Sequence, residues 1–448
     1  MKIFVSPFYI AYNRTSRLLI VIFSVSMLAR LLFSWVVYQY LANDQIAADN
    51  WPDSYALFAQ NLIHGHGFCI YPGEPSIMRG PIYPLFGALI FRVFGTNNLA
   101  GTQFVQAIID GLTAIVVFFI GNKIFNRKVG FIAASLFALY PLSIWYSARM
   151  SMVSLLTFLY TFMSWLVIRS TSRLSSRLSI VIGLLLGVTT LTLPITMLFP
   201  FFLLATWLIM CRSYVKVLRQ ILLVCVVMVL VMLPWTIRNH DVTHHFVPVS
   251  AGGGYAFILG DLFVDHFDGF SPYSAQYPSE REMQALANER VKTILSEENA
   301  SASFSRLHID IGPVASKILD NYALRSIIQR PLHFTKKVCI QFLTFWYLGN
   351  NKLKTLAILI IQLVFLLPWL ASGMYFSLMK CVKPVIPVLI LISYLNFTYA
   401  ATGANARHGM PAMPLALVIA AFGISEIIMR AQTRRKENGI LVQSSSTD

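Results

Sequence analysis

Residues 99–125, LAGTQFVQAIIDGLTAIVVFFIGNKIF, contain the pattern on which the fold class depends. Residues 99–120 include one charged side chain, Asp110, and the run ends at a basic group formed by Lys123, Arg127 and Lys128. An apolar run of about 20 residues is long enough to cross the hydrocarbon layer of a bilayer as a helix. The stretch therefore predicts a membrane-spanning helix with a basic end.

Runs of this kind recur along the whole chain of 448 residues, of which 56% are hydrophobic and 12% charged. A soluble domain carries about twice that share of charge. We place ten spans near residues 18–40, 99–120, 129–145, 150–168, 178–192, 194–210, 220–237, 354–377, 384–401 and 410–430. The first is long and contains Arg30, so we interpret it as an uncleaved signal-anchor. The sequence predicts an all-α polytopic membrane protein with breaks at Pro141, Pro194 and Pro384.

The net charge of +16 comes from basic clusters that alternate with the apolar runs. The clusters are Lys2, Arg14 and Arg17; Lys123, Arg127 and Lys128; Arg169, Arg173 and Arg177; Arg212, Lys216 and Arg219; Lys380 and Lys383; and Arg430, Arg434, Arg435 and Lys436. Such clusters mark the cytoplasmic side of membrane proteins. We expect a multi-pass protein of the plasma or inner membrane with both termini cytoplasmic. The basic charge contacts anionic membrane lipid and does not indicate nucleic-acid binding.

The acidic residues have the opposite distribution. Of 19 acids, four lie in residues 44–74 and eleven in residues 241–320. Both acidic segments should therefore face the outside. This divides the chain into a transmembrane module (1–237) with a first outer loop (42–98), a large outer loop or cap (238–351), C-terminal spans (352–430) and a cytoplasmic tail (431–448).

The outer segments carry helical patterns of their own. Residues from Tyr55 to Ile63 have apolar side chains at helical spacing, with Pro52 suited to the first turn. Residues 81–95 are apolar but short for a span, which favours an interfacial helix. In the cap, residues 280–298 form a polar helical stretch and residues 320–347 an amphipathic one. The three glycines Gly252–Gly254 predict a turn.

Asp53 and Arg79 are the two charged residues of the first outer loop that we consider as a functional pair. A carboxylate in the first turn of a helix is favoured by the helix dipole, which is a sufficient reason for Asp53 to be there. Alternatively, at the rim of the membrane, it can accept a proton from a hydroxyl nucleophile. Arg79 returns with the 81–95 helix, and a guanidinium there can hold a phosphate. The residues alone leave both alternatives open.

Motifs in a fixed order add a family resemblance. They are DSY at 53–55, LIHGHGF at 62–68, RGPIYP at 79–84, Gln106 with Asp110, GNKIF at 121–125, LPWTIRN at 233–239, PVS at 248–250 and RHGMPAMP at 407–414. Together they resemble the GT-C superfamily of membrane glycosyltransferases. The resemblance is to the polyprenyl-phosphate-sugar branch, which includes protein O-mannosyltransferases and lipid A aminoarabinose transferases.

This resemblance implies an inverting transfer of a sugar from a polyprenyl phosphate to a glycan, lipid or protein acceptor. It implies Asp53 as the catalytic base and Arg79, Arg407 and Arg238 as ligands of the donor phosphate. The substrate would be lined by Tyr55, Tyr83, His408 and Arg30. No cofactor is expected and no metal is strictly required, although metal dependence stays open.

The chain departs from the family pattern at several positions. Many relatives have a second acid where Ser54 stands, so Asp53 is the only base in the motif and a metal site there is in doubt. Relatives often have lysine in place of Arg79, which keeps the charge. An arginine commonly precedes the proline of the sixth span, where this chain has Leu193, and an acid commonly opens the fourth span, where it has Met150-Ser151-Met152.

Other polar residues carry weaker signals. Arg30 and Asp110 lie inside spans, where charge is costly and often functional. They could equally pair with each other or with the backbone. His244 and His245 lack a third ligand at helical spacing, and the five cysteines form no metal or disulfide pattern.

Two further classes of protein fit parts of the pattern. An envelope-polysaccharide polymerase or ligase uses a lipid pyrophosphate donor and relies on arginines in outer loops. A lipid or solute transporter places polar residues at mid-membrane on broken helices. Here the polar signal lies in the outer segments, which favours the enzyme.

Overall fold

The structure is a computed structural model that describes residues 7–41, 54–265, 280–298, 311–349 and 352–444. The described residues fold almost entirely as helices. The first group is α1 (Pro7–Leu41), α2 (Tyr55–Ile63), α3 (Ile82–Phe94), α4 (Leu99–Ile124), α5 (Arg127–Ala138), α6 (Pro141–Ser147), α7 (Val153–Ser172), α8 (Ser176–Thr192), a 3-10 turn (Pro194–Leu198), α9 (Phe199–Met210) and α10 (Tyr214–Thr243).

The remaining helices form the large outer loop and the C-terminal spans. They are α11 (Gly253–Asp265), α12 (Glu280–Glu297), α13 (Pro313–Gln329), α14 (Pro331–Thr344), α15 (Lys352–Phe365), α16 (Leu367–Lys380), α17 (Val382–Thr402), α18 (Ala406–Gly409), a 3-10 turn (Met410–Ala412) and α19 (Met413–Ser444).

Six helical segments of the described chain are long and apolar enough to span a membrane. They are Thr15–Val36, Leu99–Ile124, Val153–Ser172, Tyr214–Thr243, Val382–Thr402 and Ala406–Arg434. Two bent pairs, α5 with α6 and α15 with α16, bring the number to eight if each pair is one span. The polytopic all-α class is confirmed, and the protein is a multi-pass membrane protein.

The predicted count of ten spans is not confirmed. The runs at 178–192 and 194–210 form only short apolar helices, Ser176–Thr192 and Pro194–Met210. At about 1.5 Å per residue, a helix of that length falls short of a hydrocarbon layer about 30 Å thick. The break expected at Pro194 is present, and Leu193 before it is extended.

Helix breaks also separate the two halves of the bent spans. Pro141 begins α6 after a bend of 50°, as predicted. The 42° bend between α15 and α16 was not predicted, although Pro368 lies in the first turn of α16. Pro384 lies in the first turn of α17, where the absence of an N–H is tolerated.

The transmembrane helices enclose one large apolar core. The helix α4 packs on α1, α5 and α7, and α19 packs on α16 and α5. The N-terminus of α4 is capped, because the Asn98 side chain accepts a hydrogen bond from the Gly101 N–H at 2.7 Å. This packing holds α4 between α1, α5 and α7.

The outer loop helices surround a second, smaller core. The polar stretch predicted as a helix forms α12, whose buried Val291 and Leu295 pack with Ile258 of α11 and Leu319 of α13. The amphipathic stretch at 320–347 forms two helices instead of one, because Pro331 begins α14. The interfacial segment at 81–95 is helical as α3, and one face exposes Leu85, Leu89 and Val93.

Candidate active site

Asp53 lies outside the described residues, so its role stays a prediction. The next residue, Ser54, precedes α2 and has a left-handed backbone with φ 62°. This conformation is unusual for a residue with a side chain and costs about 1–2 kcal/mol. Its carbonyl accepts a hydrogen bond from the Phe58 N–H at 3.2 Å. Strained backbone of this kind concentrates at functional sites, which directs attention to Ser54 and to Asp53, the residue before it in the sequence.

The two tyrosines predicted to line the substrate lie close together. The Tyr55 and Tyr83 rings meet edge to face with centroids 4.7 Å apart. The Tyr83 hydroxyl donates to Gln106 at 3.0 Å, and the Gln106 amide donates to the carbonyls of Ser147 and Arg149. Tyr83 is 1% exposed and its hydrogen bond joins α3 to α4. Tyr55 is the ring that lies beside the guanidinium of Arg79.

Arg79 is held beside Tyr55. Its guanidinium carbon lies 5.7 Å from the centroid of the Tyr55 ring. Among the described residues Arg79 forms no ion pair. The next residue, Gly80, is pressed against α8, since a Cβ there would stand 2.1 Å from the Leu191 carbonyl oxygen. The backbone of the Arg79–Gly80 motif is thus fixed by close packing, and the cationic side chain is available.

The glycine turn lies against the same segment. The Ala251 N–H donates to the Ile77 carbonyl at 2.8 Å, and Gly252 has φ 109°, which favours glycine. The turn leads into α11, which places Tyr255 within electrostatic range of Arg79. Burial raises the pKa of Tyr255 to about 12, and the positive charge of Arg79 opposes this rise. Its hydroxyl donates to Asn288 at 3.1 Å.

Asp320, which the sequence analysis did not single out, fixes this turn from α13. Its Oδ1 accepts a hydrogen bond from the Gly254 N–H at 2.7 Å, and its Oδ2 lies 3.4 Å from the Ser316 hydroxyl. Partial burial raises the pKa of the Asp320 carboxyl, against the effect of these two hydrogen bonds. No local pattern marks Asp320, because its partner lies 66 residues away.

Arg407 and His408 lie in the C-terminal part of the chain, in a segment that contacts the large outer loop. They belong to α18, which is tied to the large outer loop by a hydrogen bond from the Ala406 N–H to the Leu348 carbonyl at 2.8 Å. The His408 ring stacks on Tyr399 with centroids 4.4 Å apart. Tyr399 is within electrostatic range of both Arg407 and Tyr55. The structure therefore brings α18 toward the Tyr55 side of the first outer loop.

Arg238 has a different environment from Arg79. Its guanidinium donates to the Ser76 carbonyl at 2.8 Å and the Phe68 carbonyl at 3.2 Å. It also lies over the Trp235 ring, 4.8 Å from the centroid. These contacts fasten the first outer loop to the end of α10. A phosphate-binding role for Arg238 gains no support from this geometry, although the side chain lines a small outer cleft with His66 and Glu74.

Arg30 lies inside the bundle and not against a substrate surface. The fully buried guanidinium pairs with Asp110 at 2.7 Å and donates to the Ala138 carbonyl at 2.9 Å. It also donates to the side chains of Ser26 and Ser143. The Ala138 carbonyl belongs to the break between α5 and α6, so Arg30 satisfies a group that the bend frees. Arg30 therefore pairs with Asp110 and the backbone, which was one of the two alternatives from the sequence, and it does not line a substrate surface as expected.

The geometry thus sorts the predicted residues into two groups. Arg79 lies against Tyr55, His408 stacks on Tyr399, and Tyr255 comes from the cap toward Arg79. Arg30, Arg238 and Tyr83 make hydrogen bonds that hold helices and loops in place. A half-buried site with two arginines and several aromatic rings is suited to an anionic group attached to an apolar or ring-shaped partner.

Comparison with known proteins agrees with the motif resemblance. The sequence model of the dolichyl-phosphate-mannose-protein mannosyltransferase family matches residues 78–237. No curated protein sequence matches the chain. Among solved structures, the archaeal oligosaccharyltransferase AglB from Archaeoglobus fulgidus, in complex with an inhibitory peptide and a dolichol-phosphate, superposes with a TM-score of 0.54 at 15% identity. The match covers 93% of this chain and 51% of that one.

Two more structures of the Archaeoglobus fulgidus oligosaccharyltransferase give similar values. The apo form has a TM-score of 0.53 at 16% identity and covers 93% of this chain and 52% of that chain. The form tethered to an acceptor peptide has a TM-score of 0.52 at 17% identity, and the match covers 92% of this chain and 50% of that chain. The chain therefore spans about half of these relatives. The GT-C fold predicted from the motifs is confirmed.

Proposed function

We propose that this protein is an inverting glycosyltransferase that moves a sugar from a polyprenyl-phosphate donor to an acceptor at the outer face of the membrane. Arg79 is the observation that carries the proposal. It is a half-buried cation without an ion pair in the described part of the chain, it lies against Tyr55, and it belongs to the same predicted outer loop as Asp53.

The reaction follows from these groups. The acceptor hydroxyl or amine attacks the anomeric carbon on the face opposite the phosphate, while Asp53 takes the acceptor proton. The bond between the anomeric carbon and the phosphate oxygen breaks, and the electron pair leaves with the lipid monophosphate. Arg79 with Arg407 neutralises the charge that develops on this leaving group, so the proposal requires no metal ion.

A membrane-level site suits the donor. The lipid tail stays in hydrocarbon while the phosphate and sugar reach the polar groups of the first outer loop. The exposed apolar face of α3 (Leu85, Leu89 and Val93) lies just after Arg79 in the chain and is suited to lipid. Acidic residues and basic clusters occupy opposite sides of the predicted spans, which supports an outer location for this loop.

Replacing Arg79 tests the proposal directly. Arg79→Ala should lower the transfer rate by about 10²–10³-fold, the scale for removing one preorganised charge-stabilising donor. Arg79→Lys should retain more activity, because the charge survives while the fork geometry is lost. The assay uses the purified full chain in liposomes with polyprenyl-phosphate sugar, and follows the glycosylated product by mass spectrometry.

Arg325→Ala is the matched control, because this exposed cap arginine pairs only loosely with Glu298 at 3.5 Å. Its activity should equal that of the wild type. Wild-type turnover by Arg79→Ala would refute the role of Arg79 as a phosphate ligand.

Two further arms of the assay separate the alternatives. A lipid diphosphate donor used in preference to the monophosphate would indicate the polymerase or ligase class. Addition of a chelator should leave turnover unchanged. Loss of turnover in the chelator would show that a metal ion takes part.

The transporter alternative finds a partial basis in the two bent spans. Broken helices line substrate sites in many transporters. Here, however, the charges near the α5–α6 break are buried and paired: Arg30 is 0% and Asp110 1% exposed. The enzyme is favoured because the available cationic side chain belongs to the outer loop.

A further inference from the structure

The helix α14 buries several polar side chains against the protein and exposes several apolar ones on the opposite side. Its buried residues are Lys337, Gln341 and Thr344. Leu332 is 85% exposed on the opposite side, followed by Phe342 at 43% and Leu343 at 45%. A helix on the surface of a water-soluble domain shows the reverse pattern, with its apolar stripe buried.

The polar face is fixed by specific contacts. The Lys337 ammonium donates to the Phe257 carbonyl at 2.8 Å and pairs with Asp261 at 2.9 Å. The Gln341 side chain donates to the Gly260 carbonyl at 2.9 Å and accepts from the Ala404 N–H at 2.9 Å. Rotating α14 to hide its apolar face would break these contacts and strand buried polar groups. The contacts of Lys337 and Gln341 therefore keep the exposed apolar side chains of α14 directed away from the protein.

The apolar surface extends beyond α14 on both sides. Leu324 and Ile328 are exposed on α13, and Leu353 and Ile360 are exposed on α15, the first half of the second bent pair. The start of α15 is joined to the end of the α14 segment, because the Gly349 N–H donates to the Thr355 hydroxyl at 3.0 Å. The exposed cations Arg330 and Lys336 lie beside this surface. Cations flanking an apolar face suit the phosphates of lipid headgroups.

We propose that the apolar face of α14, with the adjoining end of α13, is inserted into the headgroup–acyl boundary of the lipid bilayer. The helix has 14 residues, about 21 Å, and is too short to cross the membrane, so it lies along the surface. Bilayer lipid is the occupant, and Leu332 is the most exposed apolar side chain of this face. Because Lys337 and Gln341 join α14 to α11 and to Ala404, this anchor holds the cap and the Arg407 segment at a fixed height over the membrane. The lipid contact itself does not depend on the proposed catalytic function.

Site-directed spin labelling tests the lipid contact. The native cysteines are replaced, single cysteines are introduced as Leu332→Cys and Phe342→Cys, and the labelled full chain is reconstituted in phosphatidylethanolamine–phosphatidylglycerol liposomes. Oxygen concentrates in hydrocarbon and a nickel chelate in water, so the ratio of their collision rates reports the surroundings of each label. Leu222→Cys on the exposed face of α10 serves as the lipid reference, and Ser296→Cys on α12 as the water reference.

Labels at 332 and 342 should give collision ratios several-fold above the label at 296 and close to the label at 222. Ratios equal to that of Ser296→Cys at both positions would overturn the proposal, since the face would then be in water. Dipolar broadening that disappears on dilution with unlabelled protein would also overturn it, because a second copy of the chain would then cover the face. Two label positions guard against local misfolding of one variant.

Discussion

At the scale of single residues, the arginines differ in how completely the protein already uses their hydrogen-bond donors. Arg30 donates to the Ala138 carbonyl and Arg238 to the Ser76 carbonyl, so removing either arginine removes a hydrogen bond to the backbone. Arg79 contacts an aromatic ring without an ion pair in the described residues. An anionic ligand can therefore approach Arg79 without displacing a native carboxylate.

Asp53 carries the sharpest prediction at this scale. Asp53→Asn keeps the size of the side chain but cannot take the acceptor proton, so transfer should fall by roughly 10²–10⁴-fold. Folding should be retained, because losing a favourable helix-dipole contact costs only about 0.3–1 kcal/mol. Product formation by purified enzyme and the detergent-extracted yield measure the two effects.

Asp44→Asn and Asp49→Asn are the matched controls, since both replace acids of the same outer loop. Both should remain active. If Asp53→Asn turns over normally while one of these variants is inactive, the base is the upstream acid. Normal turnover by all three would remove the proposed mechanism.

At the scale of elements, Gly80 determines whether the first outer loop can pack on α8. Gly80→Ala would place a methyl group 2.1 Å from the Leu191 carbonyl oxygen, so the backbone must move. We expect destabilisation of about 1–3 kcal/mol, as for other overpacked sites, together with loss of transfer. The shift in thermal unfolding midpoint in detergent measures the first effect.

Gly312→Ala is the control for this change, because its Cβ would meet no atom within 4 Å and its φ of −61° is ordinary. Its midpoint should move by no more than the equivalent of about 0.5 kcal/mol. Equal midpoints for the two alanine variants would show that the loop is not packed as described.

Asp320 makes the contact between α13 and the glycine turn sensitive to pH. Because burial raises its pKa, the native state holds the carboxyl proton more tightly than the unfolded chain does. Its contribution to the free energy of unfolding is therefore fully present below about pH 3.9 and is lost as the pH rises through the higher native pKa. Asp320→Asn should remove this part of the pH dependence and keep the hydrogen bond from Gly254.

Thermal unfolding from about pH 4 to pH 8 checks the sign of this effect. Asp320→Ala should be less stable than Asp320→Asn by about 0.5–1.5 kcal/mol at each pH, since only alanine loses the hydrogen bond. Identical pH profiles for wild type and Asp320→Asn would contradict the assignment.

At the scale of the whole molecule, the orientation of the chain decides whether the site can be reached from outside. The basic clusters predict that Ser172, at the end of α7, is cytoplasmic and that Ser296 on α12 is outside. In a background lacking the exposed Cys339, an impermeant thiol reagent should label Ser296→Cys in intact cells and leave Ser172→Cys unlabelled. Permeabilised cells should label both, and labelling of Ser172→Cys alone in intact cells would place the site inside.

The spans of the molecule were predictable because each is a local property of the chain. Eight of the ten spans predicted from apolar length correspond to long helices or bent helix pairs in the structure. The break at Pro141 was predicted from the proline itself. Helix length in a folded bundle depends on neighbours as well. The helices Ser176–Thr192 and Pro194–Met210 coincide with the predicted runs but are too short to count as spans, and the bend near Pro368 did not follow from hydropathy.

The sequence by itself determined the membrane class, the segregation of acids from basic clusters and the ordered motifs that point to Asp53, Arg79 and Arg407. These are properties of composition and spacing, and they do not depend on folding. The tertiary structure alone decided that Arg30 pairs with Asp110, that Arg238 fastens a loop, and that Asp320 caps the glycine turn. Each of these contacts joins residues 66 or more positions apart, and hydrogen-bond geometry between distant segments exists only once the helices have packed.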